Sequence, residues 1–217
     1  MSTEELQRIS LAFGCGLACG ITAIRMKDAA SSYFRRFKVV EDIPLDYFKG
    51  RSLQGTVLSV TDGDTFRMLH KPPFLSASKG EGKVSENSLQ LRLAGIDTPE
   101  TAKFGKDGQP FGEEAKTFLK SRIEGRTLRV KLLHRDQYMR GVVIAERVSP
   151  FWPLRKCLSE EMLSAGLAYV YRQQGAVYGG KQAFFEKLEA QAQREGRGVW
   201  SLGDAAETPA EYKAKHA

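Results

Sequence analysis

The stretch Leu89-Gln-Leu-Arg-Leu-Ala-Gly-Ile-Asp97-Thr-Pro-Glu100 alternates apolar and polar residues and then turns acidic. Residues 89–94 follow the period of two that is typical of a strand with one buried face. Because Leu91 and Leu93 point to that face, Arg92 points the other way. Asp97 follows at the end of the strand, where the edge of a sheet can present ligands. The stretch therefore predicts a strand that carries an arginine and delivers carboxylates to a sheet edge.

Three further segments show this alternation, at residues 54–60, 65–69 and 127–133, and a fifth strand is expected at residues 141–146. Asp62-Gly-Asp64 lies between the first two and predicts a tight hairpin, whereas residues 71–88, rich in Pro, Gly, Ser and Lys, predict a loop. Helical periodicity is found at residues 112–123, 158–165 and 182–194. Five short strands interleaved with three helices indicate an α+β fold and are compatible with an OB-type barrel. The small and charged residues after Trp200 predict a loosely ordered tail.

The composition indicates one folded domain of about 150 residues with extensions. The 33 Lys and Arg residues exceed the 26 Asp and Glu residues and give a net charge of +7. This balance suits a polyanion such as nucleic acid, or an acidic lipid surface. The three cysteines, Cys15, Cys19 and Cys157, form no Cys-x-x-Cys pair, which argues against a disulfide framework and against a zinc site.

The N-terminal segment contains an uncharged stretch at residues 9–24. As a helix it would span about 24 Å, against about 30 Å of membrane hydrocarbon. We therefore expect an N-terminal hydrophobic helix that acts as a short membrane anchor; a buried or interfacial helix and a secretory hydrophobic region are the alternatives. Glu4 and Glu5 replace the positive start of a cleaved signal peptide, which disfavours the last of these.

The residues that follow this segment are basic from Arg25 to Lys38. By the positive-inside rule, the rest of a single-pass protein would lie on the cytosolic or matrix side. The same basic run could instead bind phosphate head groups. The expected organisation is an anchor and basic linker at residues 1–50, a folded domain at residues 51–201 and a polar C-terminal tail at residues 202–217.

Three motifs carry the chemistry: residues 62–65 (DGDT), residues 92–100 (RLAGIDTPE) and residues 136–141 (DQYMRG). Taken singly, they could be a turn, a helix cap and a surface pair. Together they supply hard oxygen ligands, a further carboxylate and two guanidinium groups, which are the groups that phosphodiester hydrolysis requires. Asp64 and Asp97, on different strands, could form a small oxygen cage with a nearby backbone carbonyl, and such a cage favours calcium.

These motifs, in this order and at these strand ends, resemble the thermonuclease, or staphylococcal nuclease-like, family. The similarity covers residues 53–201 and includes the closing pattern EAQAQREGRGVW at residues 189–200. The apolar N-terminal segment, with the patterns at residues 43–48, 134–138 and 176–180, is similar to the membrane-anchored mitochondrial nuclease-like endonucleases of fungi.

The resemblance implies an α+β fold with a five-stranded OB-fold β-barrel and three helices, preceded here by the N-terminal hydrophobic helix. It also implies calcium-dependent hydrolysis of DNA and RNA that leaves 3′-phosphorylated products. Carried over to this chain, the Ca²⁺ ligands would be Asp64, Asp97 and the Thr98 carbonyl. Asp62 would adjust these ligands without contacting the ion itself, and Glu100 would orient or activate the attacking water.

The resemblance also implies a phosphate clamp formed by Arg92 and Arg140, whose planar guanidinium groups suit bidentate contacts. Tyr138 would contact the substrate, with either Tyr169 or Tyr171 as a second aromatic contact. The bacterial prototype of the family has Lys where this chain has Gln137 and Gly where it has Met139. The third motif is therefore where we expect this chain to differ most from its relatives.

The expected partners are nucleic acid, preferentially single-stranded or flexible regions, and a membrane; no obligate protein partner is evident. A mitochondrial location is implied by the resemblance alone, since residues 1–24 lack the Arg-rich pattern of a transit peptide. The alternative function is a non-catalytic nucleic-acid-binding or membrane-tethered scaffold module, because OB-type barrels often bind without cutting.

Overall fold

The computed structural model describes residues 35–73, 83–102, 107–148 and 157–215. The chain forms two units, and the larger one, residues 37–71 and 77–217, contains every element described below. The smaller one comprises residues 1–36 and 72–76. The predicted hydrophobic helix at residues 9–24 lies outside the described residues. None of the helices formed by the described residues combines the length and the apolar character needed to cross a membrane.

Five strands close into a barrel in the order β1-β2-β3-β6-β5, which confirms the predicted architecture. The described residues form the strands β1 (Ser52–Val60), β2 (Thr65–His70), β3 (Leu89–Leu93), β4 (Ile96–Asp97), β5 (Thr127–Arg135), β6 (Gly141–Arg147) and β7 (Tyr169–Val170). β3 pairs with β6 in parallel, while the other barrel pairs are antiparallel. The predicted hairpin joins β1 to β2, where the Thr61 amide donates to the Thr65 carbonyl at 2.8 Å.

The helices surround this barrel, and the three predicted ones are present. The α-helices are α1 (Gly112–Ile123), α2 (Leu158–Ser164), α3 (Gln182–Arg194) and α4 (Pro209–Lys215). Short 3-10 helices form at Val40–Asp42, Leu45–Lys49, Val84–Glu86 and Gly198–Ala205. The expectation of a loosely ordered tail was wrong, because residues 209–215 form a helix that docks on the domain.

The barrel interior is filled by the apolar face that the alternation predicts. On β3, Leu89, Leu91 and Leu93 are at most 1% exposed, while Gln90 and Arg92 are only half-buried. Burying such a side chain contributes about 1.5 to 3 kcal/mol each, so the alternation that defines the strand also anchors it. Because the buried leucines fix the orientation of β3, Arg92 is held on its outer face.

The segment before β1 also belongs to this core, contrary to the expected domain boundary at residue 50. Phe37, Val40, Ile43, Tyr47 and Phe48 are all buried in the same hydrophobic cluster. Of the residues before β1, those up to 36 fall in the smaller unit and those from 37 onward in the larger one. The anchor and linker expected at residues 1–50 therefore do not extend to residue 50, because apolar residues from Phe37 onward pack on the barrel.

A small second sheet positions the acidic end of the opening stretch. β4 pairs with β7, with Ile96 opposite Val170 and Asp97 opposite Tyr169. Gly95 makes the sharp turn from β3 to β4 with φ 72°, and a Cβ there would come within 2.8 Å of the Phe185 ring. The turn therefore needs glycine, and it sends Asp97 back past the end of β3.

Candidate active site

A polar pocket of about 250 Å³ lies where the β1–β2 turn, β3, β4, the β5–β6 loop and α4 meet. Four carboxylates and three cationic side chains line it. The lining residues are Asp62, Asp64, Arg92, Asp97, Thr98, Pro99, Glu100, Tyr138, Arg140 and Lys213. All three sequence motifs therefore contribute to one site.

Asp64 is brought to Arg92 by the register of the barrel. Thr65 lies opposite Arg92 in the β2–β3 ladder, and the Leu93 amide donates to the Asp64 carbonyl at 2.9 Å. The Thr65 hydroxyl donates to Asp64 Oδ1 at 2.7 Å and fixes the carboxylate. Gly63 in the preceding turn approaches Thr98 closely, since a Cβ there would lie 2.8 Å from the Thr98 hydroxyl.

Asp64 and Asp97 converge on a single nitrogen of Arg92. Arg92 Nη2 lies 3.0 Å from Asp64 Oδ2 and 2.5 Å from Asp97 Oδ1. Burial, together with the nearby Asp64 charge, raises the pKa of Asp97 to about 6 against the attraction of Arg92. Burial lowers the pKa of Arg92, but attraction by the two carboxylates outweighs it and the pKa lies above its ordinary value. The guanidinium stays charged and balances two acids that otherwise repel each other.

The donor set fits a hard cation with an incomplete protein shell. Within the described residues, no three His, Cys, Asp or Glu side chains lie close enough together to hold a metal ion among themselves. Asp64 and Asp97 supply two convergent carboxylates, and the buried Thr98 next to Asp97 offers a backbone carbonyl. Calcium accepts such a mixture of carboxylate, carbonyl and water oxygens. The residues present thus fit calcium held by two carboxylates, a carbonyl and water.

Glu100 lines the same pocket and is held there by its backbone. Its amide donates to Gln109 Oε1 at 2.9 Å, and the Gln109 amide donates to its carbonyl at 2.8 Å. Its side chain contacts Lys213, whose Nζ lies 2.8 Å from Glu100 Oε1. Burial lowers the pKa of Lys213, but Asp97 and Glu100 raise it above its ordinary value, so the ammonium is charged at neutral pH. The Thr101 hydroxyl donates to Oδ1 of Asp62, another lining residue, at 3.0 Å.

Arg140 is held by a loop that folds around Asp136. Asp136 Oδ1 accepts the amides of Tyr138 and Arg140, each at 2.9 Å, and its Oδ2 accepts Arg140 Nε at 2.7 Å. Met139 adopts a left-handed φ of 61° in the same loop, a conformation that glycine takes more readily. The position of Arg140 is therefore set before any substrate arrives.

The three candidate tyrosines lie in different surroundings. The Tyr138 and Tyr171 rings each face one arginine, with Arg140 Cζ at 5.2 Å and Arg92 Cζ at 5.4 Å from their centroids. Both tyrosines line a second cleft of about 280 Å³ that shares Arg92 and Arg140 with the pocket.

Tyr169, in contrast, lies away from both cavities. It is 5% exposed, its ring packs edge-on against Trp200 at 5.0 Å, and its hydroxyl donates to the Glu207 carbonyl at 3.0 Å. Of the two alternatives for a second aromatic contact, Tyr171 lines the cleft beside the arginines, whereas Tyr169 packs against Trp200.

Three residues of the site were missed from the sequence. Asp136 stood inside a quoted motif, and its place two residues before Tyr138 could have indicated a turn that fixes the loop. Gln109 and Lys213 carried no local signal, because each reaches the site only through the tertiary fold.

A closed five-stranded barrel whose edge carries converging carboxylates, a separate glutamate and two arginines defines a phosphodiester-hydrolysing enzyme, a nuclease. Residues 90–202 match the family described as staphylococcal nuclease homologue, and the chain belongs to that family.

Relatives that match most of the chain carry related names. Endonuclease Htp3 of Saprolegnia parasitica is 48% identical over 208 residues, 94% of this chain and 95% of that protein. The probable endonuclease LCL3 of Pyricularia oryzae is 40% identical over 197 residues, covering 86% of this chain and 75% of that protein. Its namesake in Yarrowia lipolytica is 40% identical over 198 residues, 84% of each chain. The predicted membership of the thermonuclease family is thereby confirmed.

Proposed function

We propose that this protein is a calcium-dependent endonuclease that hydrolyses DNA and RNA. The observation that carries this proposal is the convergence of Asp64 and Asp97 on one Arg92 nitrogen, in a pocket shared with Glu100 and Arg140. The names of the relatives, endonuclease and probable endonuclease, support the same activity.

Calcium, when bound, would supply Lewis-acid stabilisation of the negative charge on the phosphate oxygens. Its protein ligands would be the Asp64 and Asp97 carboxylates and the Thr98 carbonyl. Asp62, fixed by the Thr101 hydroxyl, adds negative charge behind them.

Glu100 accepts a hydrogen bond from the attacking water and orients its lone pair towards phosphorus. As the new P–O bond forms, the water proton passes towards this carboxylate and the P–O5′ bond breaks. The departing O5′ takes a proton from solvent water, which gives a 5′-hydroxyl and leaves a 3′-phosphate. The backbone contacts with Gln109 hold Glu100 in place for this step.

Arg92 and Arg140 donate to the equatorial oxygens, where negative charge grows in the transition state. Such fixed donors contribute most when they need no reorganisation during the reaction. Arg140 meets this condition, because Asp136 already holds its Nε and its backbone.

The proposed preference for single-stranded or flexible substrate follows from the size of the pocket. A phosphate can enter a cavity of about 250 Å³ only if the strand bends around it, which costs less in an unpaired region. Tyr138, 68% exposed beside Arg140, offers a stacking surface for a splayed base.

The test is digestion of single-stranded DNA and RNA in calcium and in excess chelator, with Glu100→Gln assayed in parallel. We expect cleavage in calcium, loss of cleavage with chelator and recovery when calcium is restored. Cleavage that persists in chelator would show that the metal role of Asp64 and Asp97 is wrong.

The second candidate is a nucleic-acid-binding module that does not cut. The barrel alone is compatible with it, because this fold also serves binding. Arg92, Glu100 and Arg140 in one pocket favour the enzyme. Binding without cleavage in saturating calcium would decide for the module.

Membrane association through residues 9–24 remains a proposal, as does a mitochondrial location; both rest on the sequence. The test is flotation of the full chain with anionic vesicles, compared with a double variant, Leu11→Asp and Ala18→Asp. We expect only the unmodified chain to float, and equal flotation of the two would contradict an anchor in this segment.

A further inference from the structure

The C-terminal helix α4 delivers a cation to the acids of the active site. Lys213 Nζ lies 2.8 Å from Glu100 Oε1 and 3.9 Å from Asp97 Oδ2. The match to the nuclease family ends at residue 202, so this lysine comes from a part of the chain beyond the matched region. The pocket thus contains a charge that the family match does not account for.

Several polar contacts hold α4 in this position. The Tyr212 hydroxyl donates to the Asp107 carbonyl at 2.5 Å, and the Tyr169 hydroxyl donates to the Glu207 carbonyl at 3.0 Å. Gln109 Nε2 donates to the same Glu207 carbonyl at 3.2 Å. Because Gln109 also binds the Glu100 amide, one side chain ties the start of α4 to the carboxylate that Lys213 contacts.

The ammonium competes with what this pocket is proposed to bind. While Glu100 Oε1 accepts the Lys213 ammonium, fewer of the lone-pair sites of this carboxylate remain for a water, and the ammonium offsets part of its negative charge. A divalent ion at Asp97 would also lie only a few ångströms from the ammonium. Like charges at such distances repel appreciably even at an effective dielectric constant of about 20.

We propose that Lys213 is a built-in competitor of the catalytic cation and thereby sets the calcium concentration at which the pocket fills. In the metal-free enzyme its ammonium neutralises Glu100 and Asp97, and binding of the ion displaces it. The side chain can make this move, because it is long, flexible and 53% exposed. This inference rests on the proposed calcium site.

The experiment is a calorimetric titration of the full chain with calcium alone, without nucleic acid. Lys213→Met keeps the apolar stem and removes the charge. Lys215→Met is the matched control, since it removes the same charge from the same helix but its ammonium contacts Glu207, outside the pocket, at 2.5 Å.

We expect Lys213→Met to lower the calcium Kd by about five- to tenfold at low salt, a range that allows for solvent screening of a half-exposed charge. Lys215→Met should leave the Kd unchanged, and Lys213→Arg should behave like the unmodified protein. The difference between Lys213→Met and the unmodified protein should shrink in 0.5 M salt, roughly as the Debye length shortens.

An unchanged or higher Kd for Lys213→Met would overturn the inference, and so would an equal decrease for Lys215→Met. Unchanged calcium affinity with weaker binding of a single-stranded oligonucleotide would make Lys213 a substrate contact instead. Asp97→Asn distinguishes failure of the proposed calcium site from failure of the role proposed for Lys213. If it binds calcium as tightly as the unmodified protein, the calcium site and this inference both fail. If it loses binding while Lys213→Met changes nothing, only this inference fails.

Discussion

Asp64 and Asp97 in the pocket and Glu189 on α3 are about equally buried but have different partners. Asp64 and Asp97 are 6% and 7% exposed, and Glu189 is 6% exposed. The two aspartates share a single Arg92 nitrogen. Glu189, in contrast, has its own cation, Arg172, and accepts the Val170 amide at 2.7 Å.

A second acid on the helical side follows the pattern of Glu189. Glu160 in α2 contacts Lys181 at 2.6 Å and accepts the Cys157 amide at 3.3 Å. An acid with its own cation and a backbone donor is satisfied within the fold and has a structural role. In the pocket, Asp64, Asp97 and Glu100 share Arg92 and Lys213 between them. Acids that share fewer cations than there are carboxylates leave negative charge uncompensated, and such a site can bind a further cation. Burial alone does not distinguish the two groups; the partners do.

The largest effect on catalysis is expected from removing Arg140, whose position Asp136 fixes before substrate binds. Arg140→Ala should lower turnover about 10²-fold or more, because it removes a fixed donor to the transition state. Arg147→Ala is the control, as it removes an equal charge from an ion pair with Glu161, at 2.6 Å, outside the pocket. Steady-state kinetics on single-stranded DNA measures both. Weaker binding with unchanged turnover would give Arg140 a positioning role instead.

On the helical side the corresponding change should affect stability and not catalysis. Glu189→Met leaves the buried Val170 amide without its acceptor and should lower the free energy of unfolding by about 1 to 3 kcal/mol. Turnover per folded molecule should be retained. Denaturant unfolding, with kinetics at 25 °C, separates the two quantities. Lost turnover in a variant that remains folded would contradict the structural role.

In the pocket, replacing Asp97 is expected to raise the stability of the fold, in contrast to replacing Glu189. Since burial raises its pKa to about 6, the ionised form costs stability above that pH, and the cost vanishes as pH falls below the unfolded-state value. In chelator at pH 7, Asp97→Asn should therefore be more stable than the unmodified protein by about 1 to 3 kcal/mol. The difference should disappear near pH 4. Unfolding measured across this range checks it, and a less stable variant at pH 7 would contradict the account.

The smallest effects are expected at Tyr169 in β7 and at Tyr171, which directly follows this strand. Tyr169→Phe removes one hydrogen bond to the Glu207 carbonyl and should cost about 1 kcal/mol of stability with unchanged kcat/KM. Tyr171→Ala removes a ring beside Arg92 and should instead raise KM for single-stranded substrate. A raised KM for Tyr169→Phe would return that residue to the substrate-contacting group.

How much the sequence reveals depends on the distance over which each feature is determined. The strands could be predicted because each barrel strand buries one face, as Leu89, Leu91 and Leu93 do. The motif residues could be placed at one site because register and short turns fix them locally. Lys213 could not be placed there from the sequence. It lies 113 positions after Glu100 in the chain and contacts it only because α4 docks beside the pocket.

The same limit explains the domain boundary and Tyr169. Phe37 and Tyr47 precede the first strand without alternation, and only the folded barrel offers the surface that they cover. Tyr169 and Tyr171 stand two residues apart and look equivalent in sequence. Tertiary packing distinguishes them, since Trp200 covers Tyr169.

Glu100, which faces the pocket, is proposed to act in catalysis, whereas Glu189 on α3 is expected to have a structural role only. The most direct test is single-turnover cleavage of single-stranded DNA in saturating calcium by Glu100→Gln and Glu189→Met, each corrected for its folded fraction. The account predicts a fall of about 10²-fold or more for Glu100→Gln, on the scale of a lost general base, and an unchanged rate for Glu189→Met. An unchanged rate for Glu100→Gln, or an equal fall in both variants, would contradict it.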